Sequence, residues 1–186
     1  GIGGFELGIE KSIPNSQTIW QIEKEPYCQK ILKKHWPNAK LYTDITTINT
    51  SELEPVDMII GGFPCQDIST AGKQGGIHGK KSGLYWELFR IISDIRPRVV
   101  VLENVPNVLR LGGRSVVGSL VSIGYDSEWS IISAKQFGAP HLRKRWFLVA
   151  YPNSKREFMC EYGRRNQRRE TTSPPRPVDI MHKNID

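Results

Sequence analysis

The stretch that decides the fold reads VDMIIGGFPCQ and covers residues 56–66. Its first five residues, 56–60, predict a buried strand. Two glycines, a proline and a cysteine follow that strand directly. In α/β proteins, ligands bind outside the carboxyl ends of the strands, so Cys65 comes where such a protein places its chemistry. Pro64 stiffens the turn that presents the cysteine.

Strands and helices alternate on both sides of this stretch. The apolar pattern predicts further strands at residues 18–23, 99–102, 128–133 and 146–150. Helical spacing predicts a short helix after the glycines at residues 1–4, and helices at 26–35, at 83–95 and around 116–123. This alternation predicts an α/β fold with a mostly parallel sheet of about seven strands, covered on both faces.

Composition narrows the class of protein further. The chain has 186 residues, a net charge of +7 and 38% hydrophobic residues, which fits one folded domain at residues 1–150. Residues 151–186 hold eight Lys or Arg and four Pro, and predict either a solvated basic tail or an arm that contacts phosphates. No apolar run reaches the roughly 20 residues of a membrane span. Three cysteines without a Cys-x-x-Cys pair predict neither disulfides nor a metal site.

Two further groups of residues have the character of a binding site. The cluster Gly1-Ile2-Gly3-Gly4-Phe5 lets the backbone turn sharply and approach a ligand, and Glu23 follows about 20 residues later. In nucleotide-type α/β folds an acidic residue at that distance holds ribose hydroxyls, so the pair favours an adenosine-containing cofactor.

Charged residues also follow or precede the other strands. Glu103 stands at the tip of the strand predicted at 99–102, where a carboxylate suits general acid work. Arg143 and Arg145 alternate just before the strand predicted at 146–150, so both would point to one face of a strand that begins there.

In this order, the motifs resemble those of the DNA (cytosine-5)-methyltransferases of bacteria and phages. The segments that carry the resemblance are GIGGF at residues 1–5, Glu23, YTDIT at 42–46, GFPCQ at 62–66 with Ser69, KSGL at 81–84, ENV at 103–105 and RKR at 143–145. The resemblance covers about 150 residues. It implies a Rossmann-like fold that uses S-adenosylmethionine to methylate carbon 5 of cytosine through a covalent Cys65 adduct on a flipped-out base.

The resemblance also implies a role for each site residue. Cys65 would be the nucleophile, and Glu103, Arg143 and Arg145 would act on the base. The residues that would contact S-adenosylmethionine are Gly1, Ile2, Gly3, Gly4, Phe5, Glu23, Lys24, Asp44, Ile45, Pro64 and Leu84. Gln66, Ser69 and Lys73 would contact DNA, and no metal is implied.

Partners and setting follow from the same resemblance. We expect a monomer in the cytoplasm of a bacterium, or encoded by a phage, that acts on double-stranded DNA without contact with a membrane. A restriction endonuclease that cuts the same site is a further partner to expect.

The chain departs from the family pattern at two motif positions and at its ends. His141 stands where the family most often has Gln, and Lys81 where it has Arg. The aromatic residue that precedes GIGGF in the family has no match, and residues 151–186 would be a basic tail or at most the incomplete start of the family's target-recognition region. The chain is therefore expected to be a fragment. A tRNA cytosine-5 methyltransferase and an inactive DNA-binding fragment are the alternatives.

Overall fold

The structure is a computed structural model, and it describes residues 1–64 and 83–153. Cys65, Gln66, Ser69, Lys73 and Lys81 lie outside the described residues, as does all but the start of the predicted tail. The α-helices of the described part are α1 (Gly4–Ser12), α2 (Pro26–His35), α3 (Leu84–Ile95), α4 (Val108–Leu111) and α5 (Gly113–Ser122). Single turns of 3-10 helix lie at Ile45–Thr47, Thr50–Glu52 and Ala134–Phe137.

The strands of the described part form a pair and a four-stranded sheet. They are β1 (Trp20–Ile22), β2 (Lys40–Tyr42), β3 (Met58–Gly62), β4 (Val99–Asn104), β5 (Tyr125–Ser133) and β6 (Lys144–Pro152). β1 pairs with β2, and the larger sheet has the order β3-β4-β6-β5. β6 continues past residue 150, so the last strand of the sheet crosses the boundary predicted for the domain.

The α/β fold is confirmed, but its strands are not as uniformly parallel as predicted. β1 with β2 and β3 with β4 are parallel, whereas β6 runs antiparallel to both β4 and β5. The connections explain the difference. α3 lies between β3 and β4 and provides the long crossover that parallel strands need, whereas only a short segment joins β5 to β6.

Prolines and a residue in the left-handed conformation set the bounds of two helices. α2 has the predicted bounds: Pro26, which lacks an N–H, occupies its first turn, and Pro37 follows its end. α3 ends where Arg96 adopts a left-handed conformation with φ 56° and donates its backbone N–H to the carbonyl oxygen of Ile92, 2.9 Å away.

The core lies between the four-stranded sheet and the helices. Burial alternates along β4, and Val100 and Leu102 are fully buried. Tyr85, Ile91 and Ile92 of α3 are also fully buried in this core. The packing of these residues therefore fixes where the strand tips lie.

Among the described helices, the longest has 12 residues, and none has the length and apolarity to cross a membrane.

Two neighbouring residues of α5 test this packing. Leu120 is fully buried and Val121 is 55% exposed. We expect Leu120→Ala to lower the free energy of unfolding by about 2–5 kcal/mol, because it leaves a cavity. The matched change Val121→Ala is expected to stay within about 0.5 kcal/mol of the parent. Urea unfolding measures both, and equal effects would contradict the placement of α5.

Candidate functional site

The tips of β3 and β4 meet at one edge of the sheet. The two strands are parallel, and Gly62 pairs directly with Glu103. β3 covers residues 58–62 rather than the predicted 56–60, because pairing with β4 draws both glycines into the ladder. A Cβ at Gly62 would lie 3.2 Å from Oε2 of Glu103, so a glycine here leaves room for that carboxylate. The strand register therefore starts the turn that contains Pro64 directly after the residue paired with Glu103.

Glu103 forms an ion pair with an arginine from the antiparallel strand. Nε of Arg145 lies 2.7 Å from Oε1 of Glu103, and the two side chains are 23% and 29% exposed. The direct partner of Glu103 on β6 is Phe147, which places Arg145 diagonally across from it. Arg143 precedes β6 and is exposed. Of the two predicted arginines, Arg145 is the one that contacts Glu103.

Asn104 has a role at this edge that the sequence did not reveal. Its side chain is 4% exposed, and its Nδ2 donates to the carbonyl oxygen of Phe63 at 2.8 Å. Its Oδ1 accepts from the N–H of Val105, also at 2.8 Å. The ring of Phe63 packs against Tyr85 with 4.9 Å between centroids. Asn104 and Tyr85 thus fix the backbone just before Pro64.

A large cleft opens beside this edge, and we name it the glycine cleft. It has a volume of about 900 Å³ and is lined by residues 1–6, 9, 10, 13–24, 44, 45, 55–64, 84, 88 and 91. Every residue predicted to contact the cofactor lines it. Its wall includes Gly62, the pairing partner of Glu103, so the cleft and the ion pair are neighbours.

Two acidic residues of the glycine cleft, Glu23 and Asp44, are held by backbone and side-chain donors. Oε1 of Glu23 accepts the backbone N–H of Glu25 at 2.7 Å. Oδ1 of Asp44 accepts the N–H of Thr46 at 2.9 Å, and Oδ2 lies 3.0 Å from Nζ of Lys24. Each carboxylate is therefore oriented before any ligand binds.

These bonds shift the titration of Asp44. The backbone N–H and then the hydroxyl of Thr46, together with Lys24, lower the pKa of Asp44 to about 2. The side chain is thus ionised at neutral pH and acts only as a hydrogen-bond acceptor. Within residues 1–64 and 83–153, no group of three or more His, Cys, Asp or Glu side chains is arranged to hold a metal ion.

Comparison with known proteins assigns the family. A model of the C-5 cytosine-specific DNA methylases matches residues 1–184. The chain belongs to this family. The Bacillus subtilis Type II methyltransferase M2.BsuMI is 37% identical over 158 residues, which are 81% of this chain and 40% of that protein. M.CviJI, from Paramecium bursaria Chlorella virus IL3A, is 34% identical over 152 residues, 81% of this chain and 41% of the relative.

Solved structures show the same fold. A Spodoptera frugiperda DNMT2 mutant superposes with a TM-score of 0.68 at 19% identity, over 82% of this chain and 48% of that one. A prophage protein of E. coli described as a DNA modification methyltransferase gives 0.66 at 24% identity, over 83% and 45%. These likenesses confirm the Rossmann-like methyltransferase fold. The chain spans about two fifths of the length of the curated relatives named above.

The pKa of Asp44 gives a direct test of the cleft geometry. We expect its carboxyl carbon to titrate near pH 2 in NMR spectra, and Thr46→Val to raise the midpoint by removing one donor. The pKa of Asp44 in the folded protein is below its usual value of 3.8. The hydrogen bonds of the ionised Asp44 therefore stabilise the folded protein fully above pH 3.8, and this contribution is lost as the pH falls through about 2. A midpoint at or above 3.8 in the parent protein would contradict the hydrogen bonds described.

Proposed function

We propose that the full-length protein transfers a methyl group from S-adenosylmethionine to carbon 5 of cytosine in DNA. The proposal depends on one observation: an ion pair and a large cleft lie next to each other at one edge of the sheet. An ion pair between Glu103 and Arg145 lies at the strand edge after which the chain continues to Pro64 and Cys65, and the glycine cleft opens on the same edge. Membership of the family suggests the reaction, and the residues at this edge have side chains suited to it.

The glycine cleft fits the cofactor by size and by the donors and acceptors that line it. Its volume of about 900 Å³ is within the range of small-molecule sites. Glu23 would accept hydrogen bonds from ribose hydroxyls, and the ionised Asp44 would accept one from an exocyclic amine. The remaining contacts would come from the glycine turn and its neighbours: Gly1, Ile2, Gly3, Gly4, Phe5, Lys24, Ile45, Pro64 and Leu84. When bound, S-adenosylmethionine supplies an electrophilic methyl group.

Cys65 would supply the nucleophile that cytosine chemistry requires. Carbon 5 of cytosine is a poor nucleophile because the ring is aromatic. Addition of the Cys65 thiolate at carbon 6 breaks that aromaticity and directs electron density to carbon 5. After carbon 5 has taken the methyl group, loss of its proton and expulsion of Cys65 restore the ring. The target base must leave the duplex for this reaction.

Glu103 and Arg145 would hold and polarise the flipped base. In its protonated form Glu103 would donate a proton to ring nitrogen 3 as negative charge builds on the ring, and its other oxygen would accept a hydrogen bond from the exocyclic amine. Arg145 would hold the oxygen on carbon 2, where negative charge also develops. Arg143 would help to order the site. The DNA around the base would be contacted by Gln66, Ser69 and Lys73.

The names of the relatives support the setting of the reaction. M2.BsuMI and M.CviJI are Type II methyltransferases from a bacterium and a virus. We therefore propose that the protein acts in a bacterial cytoplasm, from a chromosomal or phage gene, beside a restriction endonuclease with the same site. We also propose that it acts as a monomer.

Methyl transfer and adduct trapping test the nucleophile and the substrate together. We expect the full-length protein to methylate duplex DNA, and Cys65→Ser to abolish transfer because a hydroxyl is a far weaker nucleophile without a base. DNA that contains 5-fluorocytosine should form a covalent adduct with the parent and with Cys28→Ser, the control. Cys28 lies on α2 and is not among the residues that line the glycine cleft.

Two outcomes would contradict the proposal. An adduct that persists in Cys65→Ser would exclude Cys65 as the nucleophile. Methylation of tRNA in place of duplex DNA would keep the chemistry and replace the substrate.

Glu103 gives an independent test of the acid role. Glu103→Gln keeps the shape of the side chain and removes its charge and its proton-transfer capacity. We expect kcat to fall about 10²–10⁴-fold, the usual contribution of general acid–base catalysis. Glu128→Gln on β5 is the matched control, because β6 separates that strand from β4 and the Glu128 carboxylate accepts from the hydroxyl of Tyr151. Equal activity of the two variants would contradict the role of Glu103.

A further inference from the structure

A tryptophan outside the glycine cleft packs against the turn that opens it. Trp36 caps the end of α2, and its ring lies against Gly3, which precedes α1. Gly3 is buried and has φ +85°, a left-handed conformation that favours glycine. A Cβ at Gly3 would clash with Cζ3 and Cη2 of Trp36 and lie 3.2 Å from Cδ2 of Leu32. The indole ring of Trp36 therefore packs directly against the left-handed turn at Gly3.

The other end of the same indole binds the last turn of α1. Nε1 of Trp36 donates to both carboxylate oxygens of Glu10, at 3.0 Å each. Glu10 also accepts from the backbone N–H of Thr18 at 2.9 Å and from its hydroxyl at 2.6 Å. Gly3 and Glu10 are seven residues apart, so they lie on one face of the helix.

Trp36 thus contacts α1 near both of its ends. Gly3 and Glu10 line the glycine cleft, whereas Trp36 is not among its lining residues. The first N–H groups of α1 have no partners within the helix, and a shift of the helix would move those donors relative to the cleft. Any effect of Trp36 on a ligand therefore passes through Gly3 and Glu10.

We propose that Trp36 is a positioning residue for S-adenosylmethionine. Its ring supports the left-handed turn at Gly3, and its N–H fixes the axis of α1 through Glu10. The glycine turn is consequently in its binding shape before the cofactor arrives, which reduces the ordering cost of binding. This inference rests on the proposed function, because it assumes that the glycine cleft is the cofactor site.

Binding of S-adenosylmethionine to full-length variants tests the inference. We expect Trp36→Leu to weaken the Kd about 10–100-fold, the size of one charge-assisted hydrogen bond and its packing. Trp36→Phe keeps a ring beneath Gly3 and is expected to lose about three- to tenfold. At saturating cofactor, kcat and the KM for DNA should stay within about twofold of the parent, since Trp36 touches neither substrate nor reacting atoms.

Controls separate positioning from general stability. Trp129 on β5 is 37% exposed and far from α1 in sequence, so Trp129→Leu and Trp129→Phe are matched variants that should bind normally. Glu10→Gln removes the charge from the same hydrogen bond. The loss of affinity in the double variant Trp36→Phe with Glu10→Gln should be smaller than the sum of the two single losses, because both changes weaken the same hydrogen bond.

Each outcome decides a different point. A parent protein that binds no S-adenosylmethionine would overturn the proposed function together with this inference. A parent that binds, with Trp36→Leu within twofold of it, would overturn the inference alone. If Trp36→Leu does not fold, the milder variants decide. Normal Kd values for both Trp36→Phe and Glu10→Gln would overturn the inference, and a weaker Kd at unchanged melting temperature would support it.

Discussion

The parallel register of β3 and β4 is the constraint on which the candidate site depends. Because Gly62 pairs with Glu103, the carboxyl ends of the two strands lie at the same edge of the sheet. The chain after β3 continues to Pro64, and β4 ends with the buried Asn104, whose side-chain amide donates to the carbonyl oxygen of Phe63. A slip of one residue would turn Glu103 to the opposite face of the sheet. Ladder hydrogen bonds between two short strands therefore place a carboxylate beside the turn that leads to Cys65.

Two glycines serve this arrangement for different physical reasons. Gly62 has extended backbone, and its lack of a Cβ matters because Glu103 lies only 3.2 Å from where that atom would be. Gly3 has a left-handed backbone and also borders an indole ring, so both conformation and space favour glycine there. The first glycine makes room for a catalytic candidate, and the second allows a helix to begin against Trp36.

Local signals predicted much of the fold, and long-range contacts decided the rest. Pro26 and Pro37 bracket α2, so its bounds could be predicted residue by residue. β2 has three residues without a clear pattern and was not predicted; it exists because β1 pairs with it. The antiparallel direction of β6 depends on a connection rather than on its own residues. In the site, residues at strand tips could be predicted, but Asn104 contacts a residue 41 positions away and Trp36 one 26 away. Such contacts have no signature in a single sequence.

The degree of burial of the Glu103–Arg145 pair suits the proposed reaction. In that reaction both groups must turn from each other to the cytosine, so the cost of separating them adds to the cost of binding the base. Removing one partner of a fully buried ion pair costs about 3–5 kcal/mol, whereas exposed pairs contribute about 0–1 kcal/mol. With side chains 23% and 29% exposed, this pair lies between those limits. It is held firmly enough to orient Glu103 before the base arrives, and water can reach both charges as they separate. A flipped cytosine offers an amine to the carboxylate and a carbonyl oxygen to the guanidinium, so each charge exchanges one partner for another.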